Sequence, residues 1–112
     1  MILLDHQVQG ERDLIIMSGR LVASVCGGVA DDLIAIFNDG CGVLHLEMSD
    51  VEYIDSKGMS ALVSVMRCVH KDEGNIALLN ISDEVLTLLE LTRLNEVFTI
   101  LEDGSTGRQH AA

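Results

Sequence analysis

The chain has 112 residues, 48% of them apolar, with one Tyr, two Phe, no Trp and no Pro, which suits one globular domain with an aliphatic core and is too little for two. Eighteen acidic residues against seven basic ones give a net charge of −11. Such a surplus repels phosphate backbones and anionic lipid heads, so nucleic acid and membrane are poor partners and basic protein surfaces are better ones.

No stretch approaches the roughly 20 apolar residues that span a bilayer, and the apolar start is broken at Asp5 and His6 without a basic leader, so a soluble, cytoplasmic protein is expected. Cys26, Cys41 and Cys68 have neither metal-type nor C-x-x-C spacing and read as reduced thiols filling the core. Nothing marks an internal boundary. One domain is expected over 1–101, followed by a flexible tail over 102–112 with its Gly-Ser-Thr-Gly run.

In chain order, Ile2 to Val8 and Leu14 to Met17 read as two strands joined by a turn at Gly10. The unbroken apolar run Leu14-Ile15-Ile16-Met17 suits a strand covered on both faces. Val22, Val25, Val29, Leu33 and Ile36 recur at helical spacing, but Gly27-Gly28 would weaken the middle of such a helix, which predicts a start near Gly28 with Asp31 and Asp32 in the first turn. Asn38-Asp39-Gly40 ends it. Val43 to Met48 alternates like a strand and Ser49 to Asp55 reads as a loop.

A second helix is predicted from Ser56. It packs through Met59, Leu62, Val63, Met66 and Val69, turns Ser60, Ser64, Arg67 and Lys71 to solvent, and stops at a left-handed Gly74. Asn75 to Asn80 reads as a buried strand. Ser82 caps a third helix whose first turn holds Asp83 and Glu84, and Phe98 to Leu101 reads as a last short strand. A hairpin followed by alternating helices and strands predicts an α/β fold, with helices packed on a mixed sheet of four to five strands.

The chemistry concentrates where the third strand meets the second helix, at Asp55-Ser56-Lys57-Gly58. An Asp and a Ser ahead of a helix cap its free N–H groups, and Gly58 leaves a gap where another backbone or a partner approaches. Taken alone, these residues describe an N-cap and a convenient turn. The longer pattern adds Tyr53-Ile54 before them, an amphipathic helix, Gly74, a strand, Asn80-Ile81-Ser82, and Leu88-Leu89-Glu90-Leu91-Thr92-x-Leu94 ahead of Val97-Phe98.

That pattern, over roughly residues 12–101, resembles the STAS domain shared by anti-sigma factor antagonists and the cytoplasmic tails of sulfate transporters. The resemblance implies a bacterial partner-switching protein of transcription regulation that binds an anti-sigma factor serine/threonine kinase. It also implies release by phosphorylation at Ser56, reversal by a metal-dependent serine phosphatase, and no enzyme activity, metal or cofactor of its own. The implied contact surface is Asp55, Ser56, Lys57, Gly58 and Met59, with Leu21 and Val22 from the start of the first helix. The alternative is a STAS scaffold or regulatory module of a stress-sensing or transport complex.

Gly19-Arg20-Leu21-Val22 lacks the Asp usual at the family's first-helix start, Lys57 stands where Ser is frequent, and Arg93 stands where a Gly commonly ends the third helix. The four His are scattered, with no Ser–His–Asp or Cys–His order. Glu47, Asp50, Glu52 and Asp55 lack the spacing of a calcium loop. A phosphate on Ser56 would add about −1.5 to −2 charge, and free helix N–H groups are expected to accept it without unfolding the domain.

Overall fold

A computed structural model describes residues 2–101, the side chain of Cys26 excepted. Strands β1 (Ile2–Gln9) and β2 (Arg12–Leu21) form the opening hairpin. Its turn holds Gly10 at φ 64°, the left-handed region where a side chain is disfavoured. There follow α1 (Ala23–Asp39), β3 (Val43–Ile54), α2 (Ser56–Lys71), β4 (Asn75–Leu79), α3 (Asp83–Leu91), a 3-10 turn over Leu94–Glu96, and β5 (Thr99–Leu101). The expected tail over 102–112 lies outside the described residues.

The sheet order is β1-β2-β3-β4-β5, with β1 antiparallel to β2 and every later pair parallel. Each helix joins neighbouring parallel strands, and the sheet always grows in the same direction. Right-handed crossovers therefore place all three helices on one face. The core agrees: Ile15, Met17, Leu44, Leu46, Met48 and Leu78 from the strands pack with Leu33 of α1, Leu62 and Val65 of α2, and Leu89 of α3. Leu14, Ala77 and Leu79, with Ile16 against them, form a second buried cluster from the alternate strand positions. β2 is thus apolar on both faces, as its unbroken run predicts.

Four local expectations are corrected. Helix α1 starts at Ala23, not near Gly28, so Gly27 and Gly28 lie inside it and Asp31 and Asp32 fall beyond its first turn. Packing of Val29, Leu33 and Phe37, all buried, outweighs the roughly 1 kcal/mol that each internal glycine costs. Strand β3 runs on through Ser49–Ile54, because β2 pairs with it as far as Leu21 opposite Ile54. Between Ile16 and Ser18, and again between Gly19 and Arg20, the pairing skips a residue of β3. These two bulges break the two-residue alternation and make the stretch look like a loop.

The left-handed stop after α2 is Glu73, at φ 60°, while Gly74 packs where a Cβ would strike the Phe37 ring. Cys41 is exposed and Cys68 half-buried, so neither thiol is the core filler expected. Arg93 takes the place of the missing glycine by adopting φ 61° itself, a conformation that costs an L residue roughly 1 kcal/mol.

Candidate functional site

Leu21 and Ile54 are paired at the last register position of β2 and β3, so α1 and α2 leave the sheet side by side from its carboxyl edge. In open α/β sheets that edge is where sites are built. The N-cap position of α1 is Val22, whose side chain makes no capping hydrogen bond. Asp55 supplies what is missing. Its Oδ1 accepts from the Gly58 N–H at 2.7 Å, capping α2, and its Oδ2 accepts from the Ala23 N–H of α1 at 3.0 Å. The Asp55 N–H donates to the Leu21 carbonyl at 3.2 Å.

One carboxylate therefore ties two helix starts together. The Gly58 N–H, above all, holds the Asp55 carboxyl below its ordinary range; slight burial opposes this and the Ala23 N–H adds to it. Gly58 is required for the same junction, since a Cβ there would run into the Leu21 carbonyl oxygen. Of the two occupants considered for the gap at Gly58, the structure supplies the protein's own backbone.

Ser56 is the first residue of α2 and is exposed. Among the described residues its hydroxyl makes no hydrogen bond. Lys57 beside it is exposed and Val22 half-buried, whereas Leu21, Gly58 and Met59 are buried. The expectation that Leu21 and Gly58 meet a partner directly is therefore revised: they hold the backbone beneath Ser56, Met59 shows only an edge to a neighbouring hollow, and the side chains exposed or half-exposed at this point are Ser56, Lys57, Val22 and Asp55. Asp55 already occupies the Gly58 N–H, one of the helix-start donors expected to accept a phosphate.

Two hollows meet at Ser56. One, of about 370 Å³, is floored by Ile54, Val85 and Leu88 and rimmed by Glu52, Asp55 and Glu84; the other, of about 430 Å³, lies between Met59, Val63, Arg67, Leu88 and Leu94. Tyr53 stands beside the first, with the Arg20 guanidinium 5.3 Å from its ring centroid. Sequence reasoning missed the share taken by Arg20 and by α3. The signal lay in the four leucines of a nine-residue helix: Val85 and Leu89 fill the core, which leaves Leu88 half-buried and Leu91 exposed.

Among the described residues, no three His, Cys, Asp or Glu side chains converge as a metal site. Glu47, one of the acidic cluster, is buried and accepts from Asn80 Nδ2 at 2.7 Å and from the Ser49 N–H at 2.9 Å. No helix among the described residues is long and apolar enough to cross a membrane.

The chain is 26% identical over 102 residues to the anti-sigma-B factor antagonist of Bacillus subtilis, covering 90% of this chain and 93% of the relative. Its fold matches a crystal structure of a putative anti-sigma factor antagonist from Thermotoga maritima, with a TM-score of 0.81, 21% identity, and 93% and 90% of the two chains covered. It also matches the Bacillus cell fate determinant SpoIIAA in its phosphorylated form, with a TM-score of 0.70, 19% identity, and 92% and 91% covered. The sequence profile of the STAS domain matches residues 6–105. With that match over most of its length and the five-stranded sheet under three helices, the chain belongs to the STAS domain family.

Proposed function

We propose that this chain is a cytoplasmic anti-sigma factor antagonist, a binding module that docks on an anti-sigma factor serine kinase, is released when that kinase phosphorylates Ser56, and is restored by a metal-dependent serine phosphatase. The observation that carries the reading is the division of labour at the start of α2. Asp55 is fully engaged in holding two helices, while the next residue presents a hydroxyl to solvent. A hydroxyl placed there is open to a kinase and is not needed for the fold. The name of the Bacillus subtilis relative supports the class of partner, and the phosphorylated form of SpoIIAA supports the modification.

The physics of release follows from the surroundings. A phosphate on Ser56 places about −1.5 to −2 charge beside Asp55, Glu52 and Glu84, on the rim of both hollows. It must be stripped of water for a partner to close over it, at a cost of several kcal/mol that only a matched cation would offset. About 3 kcal/mol already weakens binding more than a hundredfold.

The test is a titration of a purified anti-sigma serine kinase from the same genome with Ser56→Ala and Ser56→Asp. Ser56→Ala is expected to bind as tightly as the unmodified chain and resist release by ATP, and Ser56→Asp to bind about a hundredfold more weakly. Equal affinities would return the chain to the alternative, a scaffold or transport-complex module.

A further inference from the structure

We infer that the cleft between α2 and α3 is the seat of an amphipathic helix of the partner, with Ser56 as the ridge between its two anchor pockets. The inference rests on the proposed function and says which surface serves it. The two hollows share Ser56 and Leu88, so they form one trough with a step in the middle. Leu91 is 78% exposed, an apolar side chain that the fold does not use because α3 buries itself through Val85 and Leu89, and Tyr53, 46% exposed with Arg20 over its ring, lines the same hollow.

Charge sets the chemistry of the occupant. Glu52, Asp55 and Glu84 rim one end and Arg67 stands at the other. A helix that fits carries two apolar anchors, a cationic group over the acidic end and an anionic group near Arg67. The trough runs between α2 and α3 and borders β3 at Glu52, Tyr53 and Ile54, and its two apolar hollows on either side of Ser56 match the spaced anchors of a helix rather than the alternating side chains of an added strand. A second copy of this chain is disfavoured, since each copy brings a net charge of −11. A phosphate on Ser56 would stand between the two anchors and hold the occupant off whatever its charge.

Two measurements keep the cleft and the function separable. In the first, the full chain is titrated with a helical peptide of about 14 residues carrying two Leu anchors flanked by Lys and Glu, and with the same peptide having Ser in place of the anchors. The anchored peptide is expected to bind about tenfold more tightly and to shift the amide resonances of Val63, Leu88 and Leu91. Leu91→Ser on the exposed face should remove most of that gain, and Glu84→Lys or Arg67→Glu should each weaken binding about threefold. Equal binding of the two peptides, shifts elsewhere, or self-association through this face would overturn the inference. In the second, the same variants are titrated against the kinase. If the kinase binds and releases the unsubstituted chain but ignores all three substitutions, the cleft is wrong and the function stands. If the kinase does not bind while the peptides discriminate, the cleft stands as a helix seat and the kinase reading fails.

Discussion

Asp13 and Asp55 lie at opposite ends of α1, and each gathers two hydrogen bonds that fasten a connection to the sheet. Asp13 accepts from His6 Nε2 at 2.9 Å and from the Cys41 N–H at 3.0 Å, which pins the turn after α1 to the hairpin. Asp55 accepts from Gly58 and Ala23 and pins the two helix starts. Each carboxylate has a glycine pressed against its junction, Gly40 on Asp13 itself and Gly58 on the Leu21 carbonyl. The difference is what stands next to the clamp. Asp13 is 2% exposed and serves packing, whereas the Asp55 end carries an exposed hydroxyl and an apolar trough. A carboxylate clamp is thus a feature of stability, and the neighbouring group that the clamp leaves free turns one end into a site.

Breaking either glycine contact should have the largest effect on stability. Gly58→Ala and Gly40→Ala are each expected to cost about 2–3 kcal/mol in urea unfolding, since the colliding atoms are backbone at one end and a held carboxylate at the other. Asp13→Ala comes next, at about 2 kcal/mol, because it leaves the Cys41 N–H without its partner inside the fold. Asp55→Ala should lower the melting temperature by several degrees and also abolish kinase binding, whereas Asp13→Ala should leave binding of the folded fraction unchanged; equal binding losses would erase the distinction between the two ends.

Acid sharpens the same comparison. Burial raises the Asp13 carboxyl, but the His6 and Cys41 hydrogen bonds outweigh it, so both aspartates end below their ordinary value. A lowered folded-state pKa means that the stabilisation is complete above the ordinary carboxylate range and is lost as pH falls through the folded value. Asp55→Asn and Asp13→Asn are each expected to flatten the acid limb of a stability-against-pH curve below about pH 4. The smallest effect runs the other way: Arg93→Gly should stabilise by about 0.5–1 kcal/mol, by relieving a left-handed arginine.

What the sequence makes legible is what local chemistry decides. Gly10 marks the hairpin turn, Ser82 accepts from the Val85 N–H as an N-cap should, and Asp55-Ser56 marks the start of α2. The features that escaped it are set by residues far apart in the chain. The start of α1 depends on Asp55, 32 positions from Ala23. The end of β3 depends on two bulges opposite β2, which leave Met48, Val51 and Ile54 buried at a spacing of three. The motif was readable at the site, but the trough was not, because its walls come from β3, α2 and α3 and only the fold brings Glu52, Arg67 and Leu91 to one surface.

The central claim is that Ser56 is the chain's phosphate acceptor, and incubation with an anti-sigma serine kinase and ATP followed by mass spectrometry of the peptides tests it directly. A single phosphate on Ser56, absent from Ser56→Ala, with the folded state intact by circular dichroism, is the predicted result. Phosphate on Ser60 or Ser64 of the same helix, or none on the folded chain, would contradict it.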